Sequence, residues 1–110
     1  MTNLLQRTCV ALAKGSPALT SDQAKLLGEQ VDGWSINADA NAIERDFRFK
    51  NYYETIAFVN AMAWIVHRED HHPDLEIGYN HCLVQFSTHS VGGLSDNDFI
   101  CAAKINAIQD

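Results

Sequence analysis

The chain has 110 residues, 46% of them hydrophobic and 20% charged, which fits one soluble globular domain able to bury a sizeable core. Its formal net charge is −6, and its 8 Lys and Arg residues form no block, which argues against a nucleic-acid or anionic-membrane surface. Cys9, Cys82 and Cys101 are an odd, widely spaced set without a Cys-x-x-Cys pair, so a disulfide framework or thiolate zinc site is not expected. The apolar run Cys9–Ala13 is too short for a signal peptide, and no stretch approaches a membrane span. A cytoplasmic protein is the expectation.

Residues 1–19 show no sustained period and contain Gly15-Ser-Pro17, so they read as a loose arm before a single domain over 20–110. Thr20-Ser-Asp-Gln23 has the form of a capping box and predicts a helix to about Val31, with Leu27 and Val31 on one face. Trp34–Ile36 and Ile43–Phe49 read as strands around the turn-rich Asn37–Asn41. In the second, Ile43, Phe47 and Phe49 alternate with Glu44, Asp46 and Arg48, the mark of a sheet with one wet face.

Asn51 to about Asp70 is the longest helical candidate, with Ile56, Val59, Ala63 and Val66 on one stripe, widened by Phe58, Met62 and Ile65. Pro73 pushes His72 toward extended backbone and ends it. Leu75–Tyr79 and Cys82–Thr88 then predict a hairpin turning at Asn80-His81. After Gly92-Gly93, Leu94-Ser-Asp-Asn-Asp98-Phe99 combines an N-cap serine with a capping acid and predicts a last helix, with Cys101, Ile105 and Ile108 inward. The order α-β-β-α-β-β-α gives an α+β fold, a four-stranded antiparallel sheet backed on one face by three helices.

All five histidines fall between His67 and His89. Imidazole titrates near neutrality, so such a group suits acid and base chemistry. Alternatives stay open from the residues alone. His67 and His71 are four apart and on a helix would share a face, as zinc ligands do, with Asp70, His72 or His89 as the third. The string is not His-Glu-x-x-His, however, and His67 reads equally as a solvated residue in a last helical turn. Asp98 is explained as a capping acid, and His81 as an exposed turn residue.

Further terms narrow the choice. His67 is separated by three residues from His71-His72-Pro73, and Tyr79, His89 and Asp98 follow. Phe47-Arg-Phe49 leads into the Tyr53–Ala63 helix, and Ser87-Thr-His89 and Gly93-Leu-Ser95 flank the second half. Over roughly residues 20–108 this resembles the pterin-4a-carbinolamine dehydratase family, also described as a dimerisation cofactor of a homeodomain transcription factor. The resemblance implies dehydration of a 4a-hydroxytetrahydropterin to the quinonoid dihydropterin, with no cofactor and no metal. It implies His71, His72 and His89 as catalytic residues, with His71 and His89 exchanging protons and His72 binding or polarising the pterin. Asp70, Ser87, Thr88 and Asp98 are implied as substrate contacts. It further implies a homodimer or homotetramer and a functional link to phenylalanine hydroxylase. The chain departs from the animal pattern with His67 for glutamate, Leu75 for tryptophan and Asn97 for arginine.

Overall fold

The structure is a computed structural model and describes residues 3–109. After a short 3-10 turn at Leu4–Gln6 come α1 (Ser21–Gly28), β1 (Ser35–Ile36), β2 (Ile43–Arg48), α2 (Tyr52–Glu69), β3 (Asp74–Ile77), β4 (His81–Phe86) and α3 (Asp96–Gln109). The strands form one antiparallel sheet in the order β1-β2-β4-β3. The α+β order read from the sequence is the order observed.

Local chemistry accounts for the helix starts. Thr20 accepts from the Gln23 amide at 3.2 Å while the Gln23 side chain accepts from the Thr20 amide at 2.9 Å, a complete capping box. Losing such a cap costs about 1 kcal/mol. α1 stops at Gly28, short of the expected Val31, and its last residues continue as turns that Gly33 closes in the left-handed region at φ +86. Asn51 caps α2 through the Glu54 amide at 2.9 Å.

The sheet is wet on one side, as its alternation predicts. Ile43 and Phe47 of β2 and Cys82, Val84 and Phe86 of β4 are buried under the helices, while Asp46 and Arg48 pair with each other on the open face. Phe47 packs 4.6 Å from Phe58 and 6.0 Å from Trp34, centroid to centroid, and Trp34 lies 5.8 Å from Phe86. Each fully buried ring of this kind contributes roughly 1.5–3 kcal/mol. Arg45 breaks the alternation on the covered side. Its guanidinium lies over the Phe47 ring and donates to Asn106 Oδ1 at 2.7 Å and to the Asp32 carbonyl at 3.1 Å, which satisfies the charge.

The stripe that α2 buries overlaps the expected one at Phe58, Met62 and Val66 but is centred away from Ile56, Val59 and Ala63. Thr55, Phe58, Met62 and Val66 face inward, Ile56 and Val59 are half-buried and Ala63 is exposed. Thr55 can lie at 0% exposure because its hydroxyl bonds the Asn51 and Tyr79 carbonyls, which ties the helix start to the β3–β4 turn. That hairpin turns earlier than expected, over residues 78–80 instead of Asn80-His81: the strands end at Ile77 and begin at His81, and the Gly78 amide donates to the His81 carbonyl. A Cβ at Gly78 would meet the His81 ring, which packs over the glycine and would have to turn aside.

Residues 3–19, expected to be loose, are tied to the body of the fold. Leu4 is buried in the core, Arg7 pairs with Asp96 at 2.8 Å, and Lys104 donates to the Leu5 carbonyl. The Gly15 and Leu19 amides donate to the Ser90 and Leu94 carbonyls.

Candidate active site

The site forms where three chain ends meet: the end of α2, the end of β4 and the start of α3. α2 ends because Asp70 takes the left-handed conformation (φ 54, ψ 43), letting the His71 amide close onto the Val66 carbonyl at 3.2 Å. That reversal turns His71 away from the helix face of His67. The two histidines therefore do not share a helical face, and the zinc-like spacing does not survive folding. Among the described residues, no group of three or more His, Cys, Asp or Glu side chains is disposed to hold a metal ion.

His71 instead meets Asp98. Its Nε2 lies 2.6 Å from Asp98 Oδ1, and the Asp98 side chain is fully buried. The other carboxylate oxygen accepts from the Thr88 hydroxyl at 2.9 Å and from the Ser95 amide at 3.0 Å. Thr88 spends its proton on Asp98, so the 2.7 Å contact between the Thr88 and Ser95 hydroxyls must run from Ser95 to Thr88. The His71 ring, the Thr88 hydroxyl and the Ser95 amide thus converge on one carboxylate. Such a carboxylate orders the imidazole with hydrogen on Nε2, leaving Nδ1 unpaired by any described residue. Beneath the imidazole, the Phe86 ring stacks at 5.6 Å and 8°.

The Asp98 contact is half of the capping box read from the sequence. The Asp98 carboxylate does reach back to the Ser95 amide, but the Ser95 hydroxyl is diverted to Thr88 instead of capping α3. The same aspartate therefore starts a helix and holds an imidazole.

His71, Asp70 and Thr88 line a cleft of about 460 Å³ together with Arg68, Glu69, Ser90, Asn97 and residues 9–12 of the arm. That size lies within the usual range for small-molecule sites. A second, polar hollow of about 370 Å³ shares Thr88 as its wall and is lined by Ser87, His89, Gln85, Asn37 and Asn41. His89 is exposed at the tip of a small loop, closed by the pairing of Thr88 with Gly93 and by Gly92 at φ +68. His72 is exposed and lines neither hollow, and His67 is exposed in the last turn of α2. Folding thus gathers His71, Asp98, Thr88 and Asp70, sets Ser87 and His89 on the far side of Thr88, and leaves His72 at the surface beside His71. His81 sits apart at the start of β4, 3.2 Å from Asp46.

Nearby ionisable groups respond to this setting. Burial alone raises the Glu69 carboxyl, but the Cys9 amide that donates to it at 2.8 Å and the Lys104 ammonium outweigh burial and hold it below its ordinary 4.5. Cys101 donates to the His71 carbonyl, and its thiol is pushed far up, first by the Cys9 thiol at 3.6 Å and then by burial. Phe86, Glu69 and the arm are site components that the sequence did not mark. Phe86 is legible only as an inward strand residue, and the arm carries no periodic signal at all.

Fold and site together define an α+β protein with an imidazole–carboxylate pair at the wall of a small-molecule cleft. Residues 17–108 match the family model described as pterin 4 alpha carbinolamine dehydratase, and the chain belongs to that family. A protein of Nitrosospira multiformis, provisionally named pterin-4-alpha-carbinolamine dehydratase, is 51% identical over 106 residues, covering 96% of this chain and 92% of its own. A Bdellovibrio bacteriovorus protein with the same provisional name is 58% identical over 95 residues, covering 83% and 78%. Among solved structures, the transcriptional coactivator/pterin dehydratase of Brucella melitensis matches with a TM-score of 0.80 at 32% identity, covering 84% of this chain and 99% of that one.

Proposed function

We propose that this protein dehydrates a 4a-hydroxytetrahydropterin to the quinonoid dihydropterin, returning the pterin used by aromatic amino acid hydroxylases such as phenylalanine hydroxylase. The observation that carries the proposal is the buried Asp98 holding His71 at 2.6 Å on the wall of a cleft of about 460 Å³. Family membership and the names of the relatives support the reaction class.

The reaction is an elimination. The bond from C4a to its hydroxyl breaks, and a general acid protonates the departing oxygen to water. The N5–H electrons become the new C4a–N5 double bond as a base removes the proton. His71 suits the base, because Asp98 stabilises the imidazolium that forms when its free nitrogen takes up the N5 proton. His89, on the Thr88 side of the site, acts as the acid, and His72 contacts the pterin from the rim. Asp70, Ser87 and Thr88 line the two hollows and offer the ring nitrogens and exocyclic groups polar partners, whereas Asp98 acts through His71.

Stopped-flow consumption of a freshly generated 4a-carbinolamine tests the assignment. His71→Ala and His89→Ala should each slow turnover by about 100-fold or more. Variants that both stay within threefold of the parent would refute it. A protein working only through a partner would leave the carbinolamine to its uncatalysed decay even in the parent.

We further place the protein in the cytoplasm as a homodimer or homotetramer, with 1–19 as an arm on a single 20–110 domain. No helix among the described residues is long and apolar enough to cross a membrane, and all three cysteines are free. β3 is an edge strand whose Leu75 and Ile77 stay 41% and 43% exposed, and Trp64 on α2 is 64% exposed. An uncovered edge with apolar side chains favours pairing with a second copy.

A further inference from the structure

We propose that the arm segment Cys9–Leu12 is a working wall of the pterin cleft, registered by Asn97, and that it selects the substituent carried on C6 of the substrate. The inference rests on the dehydratase assignment. Four consecutive arm residues line the cleft of His71. Their position is fixed by side chains that adjoin the site in sequence. Asn97, next to Asp98, uses both ends of its buried carboxamide on one residue, donating to the Val10 carbonyl at 2.8 Å and accepting from the Val10 amide at 3.1 Å. Glu69, next to Asp70, accepts from the Cys9 amide at 2.8 Å. Asp96 holds Arg7 at 2.8 Å.

These tethers consume the peptide groups of Cys9 and Val10 that face the body of the protein. The peptide groups of Ala11 and Leu12 have no partner among the described residues, yet both residues line the cleft. They present unpaired N–H and C=O groups beside the small apolar side chain of Ala11 and the half-buried Leu12. That combination accommodates a short chain bearing hydroxyls, whose carbon skeleton meets the apolar groups while its oxygens bond the backbone. The chemistry of the ring says which substituent this is. N5 lies between C4a and C6, so an imidazole that removes the N5 proton has the C6 substituent as its neighbour. The arm is one wall of the same cleft that His71 lines. Asn97 borders the cleft, but both ends of its carboxamide are spent on Val10, so it is a positioning residue that acts on the substrate through the arm.

Two measurements test the inference. In the first, Asn97→Ala is compared with the parent on the 4a-carbinolamines of tetrahydrobiopterin and of 6-methyltetrahydropterin. Loss of two hydrogen bonds that set the wall should raise KM for the biopterin substrate about tenfold, leave kcat within twofold, and change KM for the methyl substrate less than threefold. An equal change for both substrates, or a fall in kcat alone, overturns the proposal. The second needs no variant: amide NMR of the parent titrated with biopterin and with unsubstituted pterin. Ala11 and Leu12 should shift with biopterin and stay still with unsubstituted pterin, while His71 responds to both. Shifts at His71 with Ala11 and Leu12 silent overturn the role of the arm alone. No shift anywhere, together with no turnover, overturns the dehydratase assignment and the arm with it.

Discussion

Asp98→Asn separates the two duties of the buried aspartate. The substitution keeps the volume and an amide oxygen able to accept from the Ser95 amide and the Thr88 hydroxyl, so α3 still has its reach-back bond. Each of those bonds falls from a charged to a neutral acceptor, a loss of about 1 kcal/mol apiece, for roughly 2 kcal/mol of stability. At Oδ1 the change is of kind. The carboxamide presents N–H where His71 Nε2 now donates at 2.6 Å, so the imidazole must turn its other tautomer to the substrate. The base then meets N5 with its proton already in place, and the charge that balanced the imidazolium is gone. Two to three kcal/mol of lost transition-state stabilisation corresponds to a fall in kcat of about 30- to 150-fold. KM should stay within threefold, since Asp98 is fully buried and touches the substrate only through His71. The assay pairs stopped-flow turnover with urea unfolding of the same preparation. Should stability fall by about 2 kcal/mol while kcat stays within threefold, Asp98 is a helix cap and nothing more, and the proposed role for His71 falls.

Other expectations follow from the same geometry. Phe86→Leu removes the ring stacked under His71 and the Trp34 contact; it should cost about 1–2 kcal/mol of stability and lower kcat beyond what melting explains, as read by turnover well below the transition. Burial and the Asp46 charge push the Cys82 thiol up to about 11, and Cys101 stands higher still, so native protein at pH 8 should be alkylated by iodoacetamide at Cys9 alone, with the other two labelled only after unfolding. The Glu69 carboxyl is held below 4.5 in the fold, so its charge stabilises the protein above that pH and the contribution is lost as pH falls through the lowered value. Glu69→Gln should therefore be about 1 kcal/mol less stable than the parent at pH 7, with the gap narrowing steadily below pH 4.5 in urea titrations. Leu75→Lys with Ile77→Lys charges the β3 edge and should reduce the mass measured by light scattering to that of a monomer; an unchanged mass assigns the contact elsewhere.

The parts of the fold that were legible are those whose physics is local. The Thr20–Gln23 box and the alternation from Ile43 to Phe47 each depend on neighbours a few residues away and appear where expected. α2 stops ahead of the histidine pair as expected, though at Asp70 and not at Pro73. α2 shows where local pattern fails. Hydrophobicity favoured Ile56 and Val59 for the core, but the polar Thr55 is deeper because distant Tyr79 offers its hydroxyl an acceptor. The zinc-like spacing of His67 and His71 failed for the opposite reason, a single left-handed residue at Asp70 that no helical period encodes.

The site lies between these cases, and the arm explains why. Asp98 was readable as a capping acid, and its partner His71 as a histidine before a proline, but their meeting spans 27 positions and depends on β4 lying between them. The arm contacts span further, 60 positions from Cys9 to Glu69 and 87 from Val10 to Asn97, and involve backbone groups that carry no side-chain signature. A substitution on that wall leaves every histidine in place, so a histidine pattern reports the reaction and is blind to the choice of substrate. Side-chain preference within this fold must therefore be sought in what Asn97 holds against the cleft, the Val10 peptide and the two arm residues that follow it.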